Sequence, residues 1–165
     1  MPDAEKTLIL SRVLKSIGID QIDMDNFDNR LLYQKLIYLT QNYGLSLGYG
    51  YSWYVKGPYS PELTKTLFTI TPESLVESDN FRFQNDDIVI RKIHEIRTIL
   101  DNKIQDPFFL EILASIVFIK KFLQTEISME NLRGELLKRK PKLQDNINFE
   151  RDFSEAFRLM PKFVT

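Results

Sequence analysis

The sequence predicts a mainly α fold with a small antiparallel β-sheet, a single α+β domain over residues 1–165. Three observations predict it. Apolar residues recur at four-three-four spacing in several separate segments, the pattern of helices with one buried face. One stretch, Tyr49 to Val55, switches to a period of two. A chain of 165 residues, 43% hydrophobic with only 6 glycines and 7 prolines, is long enough for one core and too short for two.

Taken in order, Asp3 can cap a first helix running to about Ile17. Ile9, Val13 and Ile17, with Leu10 and Leu14 beside them, make its apolar face, and Gly18 supplies the stop. Residues 19–27 form an acidic connection. A second helix starts at Asp28 and carries Leu32, Leu36, Leu39 and Tyr43 on one stripe, widened by Tyr33 and Ile37, with Gly44 ending it in a left-handed conformation. Tyr49, Tyr51, Trp53 and Val55 then alternate with Gly50, Ser52, Tyr54 and Lys56, as in a strand with one buried face. Gly57-Pro58 breaks this strand. Ser60-Pro61 starts a short helix to about Phe68: a serine oxygen accepts an orphan amide, and proline at the first helical position has no amide to leave unsatisfied.

Val76-Glu77 and Phe81-Arg82-Phe83, separated by Ser78-Asp79-Asn80, read as a small hairpin. Val89, Ile93, Ile96 and Leu100 define a helix capped near Asp86 or Asp87. Asp106-Pro107 opens the most apolar run of the chain, Phe108 to Ile119, which includes Glu111 and Ser115. At 12 residues it is too short for a bilayer span of about 20, so it reads as a helix buried almost all round. Ser128 caps a helix with Leu132, Leu136 and Leu137, stopped near Pro141, and a last helix presents Phe149, Phe153, Phe157 and Met160 on one face.

Composition excludes several classes. The balance of 22 basic and 23 acidic residues lacks the signature of a dedicated polyanion binder. There is no cysteine, so no disulfide framework and no thiolate metal site. With no signal-peptide pattern at the N-terminus, cytoplasmic residence is the expectation.

The segments Leu32–Leu39 and Gly57–Leu63 resemble the motif pair of the YwgA-like family and, more distantly, of the Panacea domain of SocA-like antitoxins. Leu32, Gln34, Lys35, Leu36, Tyr38 and Leu39 match the helical motif, and Gly57, Pro58, Tyr59, Ser60, Pro61, Glu62 and Leu63 match the turn motif. Tyr33 departs from the usual leucine, and Lys56 from the tyrosine often found before Gly-Pro, so Tyr54 or Trp53 is expected to supply the missing aromatic contact. A looser similarity continues through Leu132–Pro141 and Ala156. The resemblance implies a helical, winged-helix-like domain without known catalysis. For the Panacea branch it implies neutralisation of toxins, or their delivery to proteolysis, by direct protein contact.

Two readings attach to Gln34 and Lys35: hydrogen bonding across to the Gly57-Pro58 turn, which leads, or facing a partner. Of the aromatic cluster Tyr49, Tyr51, Trp53, Tyr54 and Tyr59, alternate members fill a core, while Tyr54 and Tyr59 lie off the buried face and are the interface candidates. A winged helix invites a DNA-binding reading, with Ser78-Asp79-Asn80 as the wing. That wing is acidic, and the helix from Pro61 offers only Lys65. Arg133, Lys138, Arg139, Lys140 and Lys142 are the only cationic concentration, shared with Glu130 and Glu135, and a solvated face is the ordinary reading of such a run.

For catalysis the inventory is thin. His94 is the only histidine, Asp86 and Asp87 have a helix start to explain them, and there is no phosphate-binding glycine loop or nucleophile elbow. An enzyme would need carboxylates converging around Asp86, Asp87 or Glu62. The expectation is a non-enzymatic protein-interaction domain, antitoxin-like or adaptor, without cofactor, metal, small-molecule substrate or membrane. Its partner would be another protein, a toxin or a second copy of the chain, contacted through Gln34, Lys35, Trp53, Tyr54, Gly57, Pro58, Tyr59 and Pro61. The alternative is a winged-helix DNA-binding transcriptional regulator using Arg133, Lys138, Arg139, Lys140 and Lys142.

Overall fold

Helix α1 (Asp3–Ile17) opens the computed structural model, which describes residues 3–164. Asp3 lies within the helix rather than capping it, and with Glu5 it places negative charge in the first turn, where the helix dipole favours it. Leu10, Val13, Leu14 and Ile17 are fully buried, and Gly18 (φ +118) ends the helix.

Helix α2 (Phe27–Asn42) begins one residue earlier than expected and is capped by Asn26, whose side chain accepts from the Asn29 amide at 3.1 Å. Every residue from Leu32 to Thr40 is buried, so the helix has no solvated face over this span. The expected stripe is one side of a helix enclosed on all sides, because α6 (Pro107–Leu123) packs on one flank and the β-hairpin and α3 (Pro61–Leu67) on others.

The sheet is smaller than the sequence suggested, and differently placed. Strand β1 is Ser52–Tyr54 and β2 is Gly57–Tyr59, antiparallel, with Trp53 opposite Pro58 and Val55-Lys56 as the turn. Gly57-Pro58 therefore does not break a strand but begins one. Proline is tolerated because β2 is an edge with no further neighbour requiring its missing amide. Gly57 (φ +92) takes the left-handed conformation that lets the chain re-enter the ladder.

Ser60 caps α3, accepting from the Leu63 amide at 3.3 Å with Pro61 at the first helical position. No hairpin forms at residues 76–83. Thr71 and Ser74 make a reciprocal capping box around Pro72 and start a helix, α4 (Pro72–Glu77), which runs on into a 3₁₀ turn at Ser78–Asn80. Phe81 and Phe83 pack edge-on at 5.5 Å in the following connection instead of pairing as a strand. The segment expected as a wing is thus helical.

Helix α5 (Asp86–Leu100) follows Asn85, with Ile93, Ile96 and Leu100 buried. Then come α6, capped by Asp106, α7 (Met129–Arg139), capped by Ser128, and α8 (Phe149–Leu159). Short 3₁₀ segments lie at Asp101–Gln105, Pro141–Asp145 and Met160–Phe163. Helix α1 carries α3, α4 and α5, while α6 touches α2, α7, α8 and β2. Their apolar side chains form one continuous core. Each fully buried leucine or isoleucine of α6 contributes about 1.5–3 kcal/mol relative to exposure, which makes that helix the axis of the molecule. No helix of the described residues is long and apolar enough to cross a membrane.

Candidate functional site

A two-stranded hairpin of three-residue strands cannot stabilise itself in water, and this one is held by three buried polar side chains from elsewhere in the chain. Gln34 and Lys35 are neighbours on α2, and because successive helical positions are about 100° apart they reach different points. The Gln34 amide pairs with the Ser60 backbone in both directions: Nε2 donates to the Ser60 carbonyl and Oε1 accepts from the Ser60 amide, each at 2.9 Å. Nε2 also lies 2.9 Å from the Thr64 hydroxyl. Lys35, fully buried, donates from Nζ to the Pro58 carbonyl at 2.6 Å. The third anchor is Lys140, the residue after α7. Its Nζ donates to the Val55 carbonyl at 2.9 Å, pairs with Glu111 of α6 at 2.5 Å, and sits 5.8 Å from the centre of the Trp53 ring.

Close packing adds a fourth constraint. A Cβ on Gly57 would stand 2.6 Å from the Ser115 hydroxyl of α6 and 3.5 Å from Lys35 Nζ. The Ser115 hydroxyl is buried and has no hydrogen-bond partner, so it marks a position where backbone and helix approach more closely than polar satisfaction requires.

Two ammonium groups, of Lys35 and Lys140, thus share one carboxylate, that of Glu111. Burial pulls Lys35 down to about 7; the Glu111 carboxylate opposes that, and the positive charge of Lys140 adds to it. Lys140 is lowered as well, by burial against the pull of Glu111, with Lys56 adding its like charge.

Above these anchors the side chains of the turn face outward. Val55 is 88% exposed and Tyr54 45%, the latter packed edge-on against Tyr59 at 5.2 Å. Val55 was expected on the buried face; it lies in the turn because the strand stops at Tyr54. Beside the turn opens a cleft of about 490 Å³, walled by Val55 and Lys56, by Phe108 and Glu111 of α6, and by residues 139–143 with Asn146.

The structure brings Gln34, Lys35, Trp53, Tyr54, Gly57, Pro58 and Tyr59 together around the hairpin. Trp53 is half-buried with its ring 5.5 Å from that of Phe118, Tyr59 bonds the Thr64 hydroxyl at 2.6 Å, and Pro61 is an exposed helix start. Lys35 spends its ammonium on the Pro58 carbonyl of β2, and Gln34 its amide on Ser60 and Thr64 just beyond it. The five cationic residues do not act as one patch: Arg133 pairs with Glu150, Lys138 and Arg139 with Glu135, and Lys140 with Glu111. Lys142 is exposed and makes no ion pair among the described residues. The carboxylates considered for catalysis are also engaged. Asp86 accepts from Arg12 at 2.9 Å and from the Phe83 amide at 3.1 Å, rather than capping α5, and Glu62 lies 3.8 Å from Lys65. His94 is exposed on α5.

Sequence reasoning missed Glu111 and Ser115 as members of the site. Their signal was present: they are a charge and a hydroxyl four residues apart in a helix expected to be buried all round, where each needs a polar partner or a reason for lacking one. Among the described residues no group of three His, Cys, Asp or Glu side chains is arranged to hold a metal ion. Compared with protein-family models, curated proteins and solved structures, the chain matches none of them.

Proposed function

We propose that the chain is a cytoplasmic protein-interaction domain, of adaptor or antitoxin-like kind, that presents the Tyr54–Lys56 turn and the adjoining cleft to a partner protein. One observation carries the reading. Three buried polar side chains are committed to the backbone of the hairpin and of Ser60 directly after it, while the hairpin tip, Val55, is 88% exposed. A single exposed valine is ordinary on any surface. A rigidly tethered turn with exposed Tyr54 and Val55 beside an apolar-walled cleft is what a preformed binding surface requires, since ordering done in advance is not subtracted from affinity.

The test is site-specific photo-crosslinking in the native host. A photoreactive phenylalanine derivative replaces Val55 in one sample and His94, exposed on a different element, in another. The expected result is a discrete protein adduct from position 55 and none from position 94; an adduct of twice the chain mass identifies a second copy as the partner. Equal, diffuse labelling at both positions, or none at position 55, ends the interaction reading.

A further inference from the structure

We propose that the cleft beside the turn binds an acidic peptide segment carrying one bulky apolar side chain, an inference that rests on the interaction reading and gives the partner its chemistry. The apolar walls come from Val55 of the turn, Phe108 at the start of α6, and Pro141 and Leu143 after α7. The volume, about 490 Å³, lies within the range of about 300–1,000 Å³ typical of ligand pockets. It fits a short stretch of chain inserted edgewise rather than a broad protein face.

Charge selects the occupant. The lining includes Lys56, Arg139, Lys140 and Lys142 against the single carboxylate of Glu111. Glu111 is already paired with Lys140, and Arg139 with Glu135 at 2.6 Å. Lys56 and Lys142 are exposed and form no ion pair among the described residues, so two ammonium groups stand at the rim with nothing opposite them. The chain as a whole carries a formal charge of −1, so this rim is a local reversal of sign and would draw carboxylates to one place.

Nucleic acid fits less well. A phosphate backbone needs a run of free cations along its track, and the neighbours that would extend the rim, Arg133, Lys138 and Arg139, are each paired with Glu150 or Glu135. The apolar walls suit a hydrophobic side chain, and the ammonium groups of Lys56 and Lys142 suit acids flanking it.

The experiment uses the full chain and fluorescein-labelled short peptides, with a central Leu, Ile, Phe or Trp flanked by Glu and Asp, read by fluorescence anisotropy at low and physiological salt. The same centres flanked by Lys and Arg, and a short duplex DNA, are the comparators. The expected result is binding of at least one acidic peptide, weakened by salt, with none of its basic counterpart. In a K56E/K142E double variant, shown folded by far-UV circular dichroism, affinity falls by about tenfold or more, because two attractive rim charges become repulsive. No binding by any acidic peptide, equal binding of the basic set, an unchanged affinity in K56E/K142E, or displacement of the peptide by duplex DNA at equal concentration overturns the proposal. The two ideas separate cleanly. If wild type and K56E/K142E give the same crosslinked adduct from position 55 while no acidic peptide binds, the interaction reading stands and the acidic segment falls; if the adduct is absent from wild type, both fall.

Discussion

At Gly57 two constraints meet on one atom that is not there. Its φ of +92 disfavours any residue with a Cβ, and a Cβ would overlap the Ser115 hydroxyl at 2.6 Å. Gly57→Ala is therefore expected to lose stability, by about 1–3 kcal/mol for the backbone strain alone. Ser115→Ala removes a buried hydroxyl that has no hydrogen-bond partner, so it is expected to be neutral or mildly stabilising. Because the two sites touch, the double variant should recover part of the Gly57→Ala loss, with a coupling of about 0.5 kcal/mol or more. Urea midpoints for the four proteins of the cycle measure this, and strictly additive losses would show that Ser115 does not press on the turn. The sequence marked the Gly-Pro pair as a change of direction, but as a strand break, whereas it starts β2 just after the turn. The identity of what crowds it was not legible, because Ser115 is 58 positions away by simple numbering and nothing local couples them.

Among the elements, helix starts were the most readable feature of the chain, since each has a local chemical cause. Ser60-Pro61, Asp106-Pro107 and Ser128 all cap helices with side-chain oxygens. The failure at residues 76–83 has the same origin: Thr71-Pro72 with Ser74 is an equally good start, and once a helix begins there Val76 is carried along as an exposed helical residue rather than a strand. The β-hairpin was only half legible, because its stability is supplied from outside its own sequence. That dependence is testable with Lys140→Met, which keeps bulk but removes the ammonium and leaves Glu111 buried without its partner. Removing one member of a buried pair typically costs about 3–5 kcal/mol. Trp53, the only tryptophan, reports on the hairpin directly. In wild type, urea unfolding followed by Trp53 fluorescence and by far-UV circular dichroism is expected to coincide. In Lys140→Met the fluorescence transition should come first, with the helices still folded. Coincident transitions in the variant would mean that Lys140 does not tether the hairpin.

For the molecule as a whole, a fully buried lysine in the core makes stability depend on pH. The folded Lys35 titrates at about 7 and an unfolded lysine near its ordinary value of 10.5, so between these values the unfolded chain holds the extra proton. Stability therefore rises with pH across that window, at a slope approaching about 1.4 kcal/mol per pH unit, and the contribution is lost as pH falls through 7. Lys35→Met is expected to flatten the slope between pH 7 and about 9.5, below the range where tyrosines begin to ionise, leaving the part due to Lys140, which burial also lowers. Urea unfolding at a series of pH values compares the two proteins; parallel curves would show that Lys35 keeps its proton throughout. The three anchors also have unequal distances along the chain. Gln34 and Lys35 precede the residues they hold by 26 and 23 positions, whereas Lys140 follows Val55 by 85. During synthesis the hairpin and its first two anchors are complete while most of the C-terminal half is still unmade, and the tether at its tip cannot exist until the ribosome has passed α7. The surface we assign to partner binding is in this sense the part of an early-made segment that is finished last.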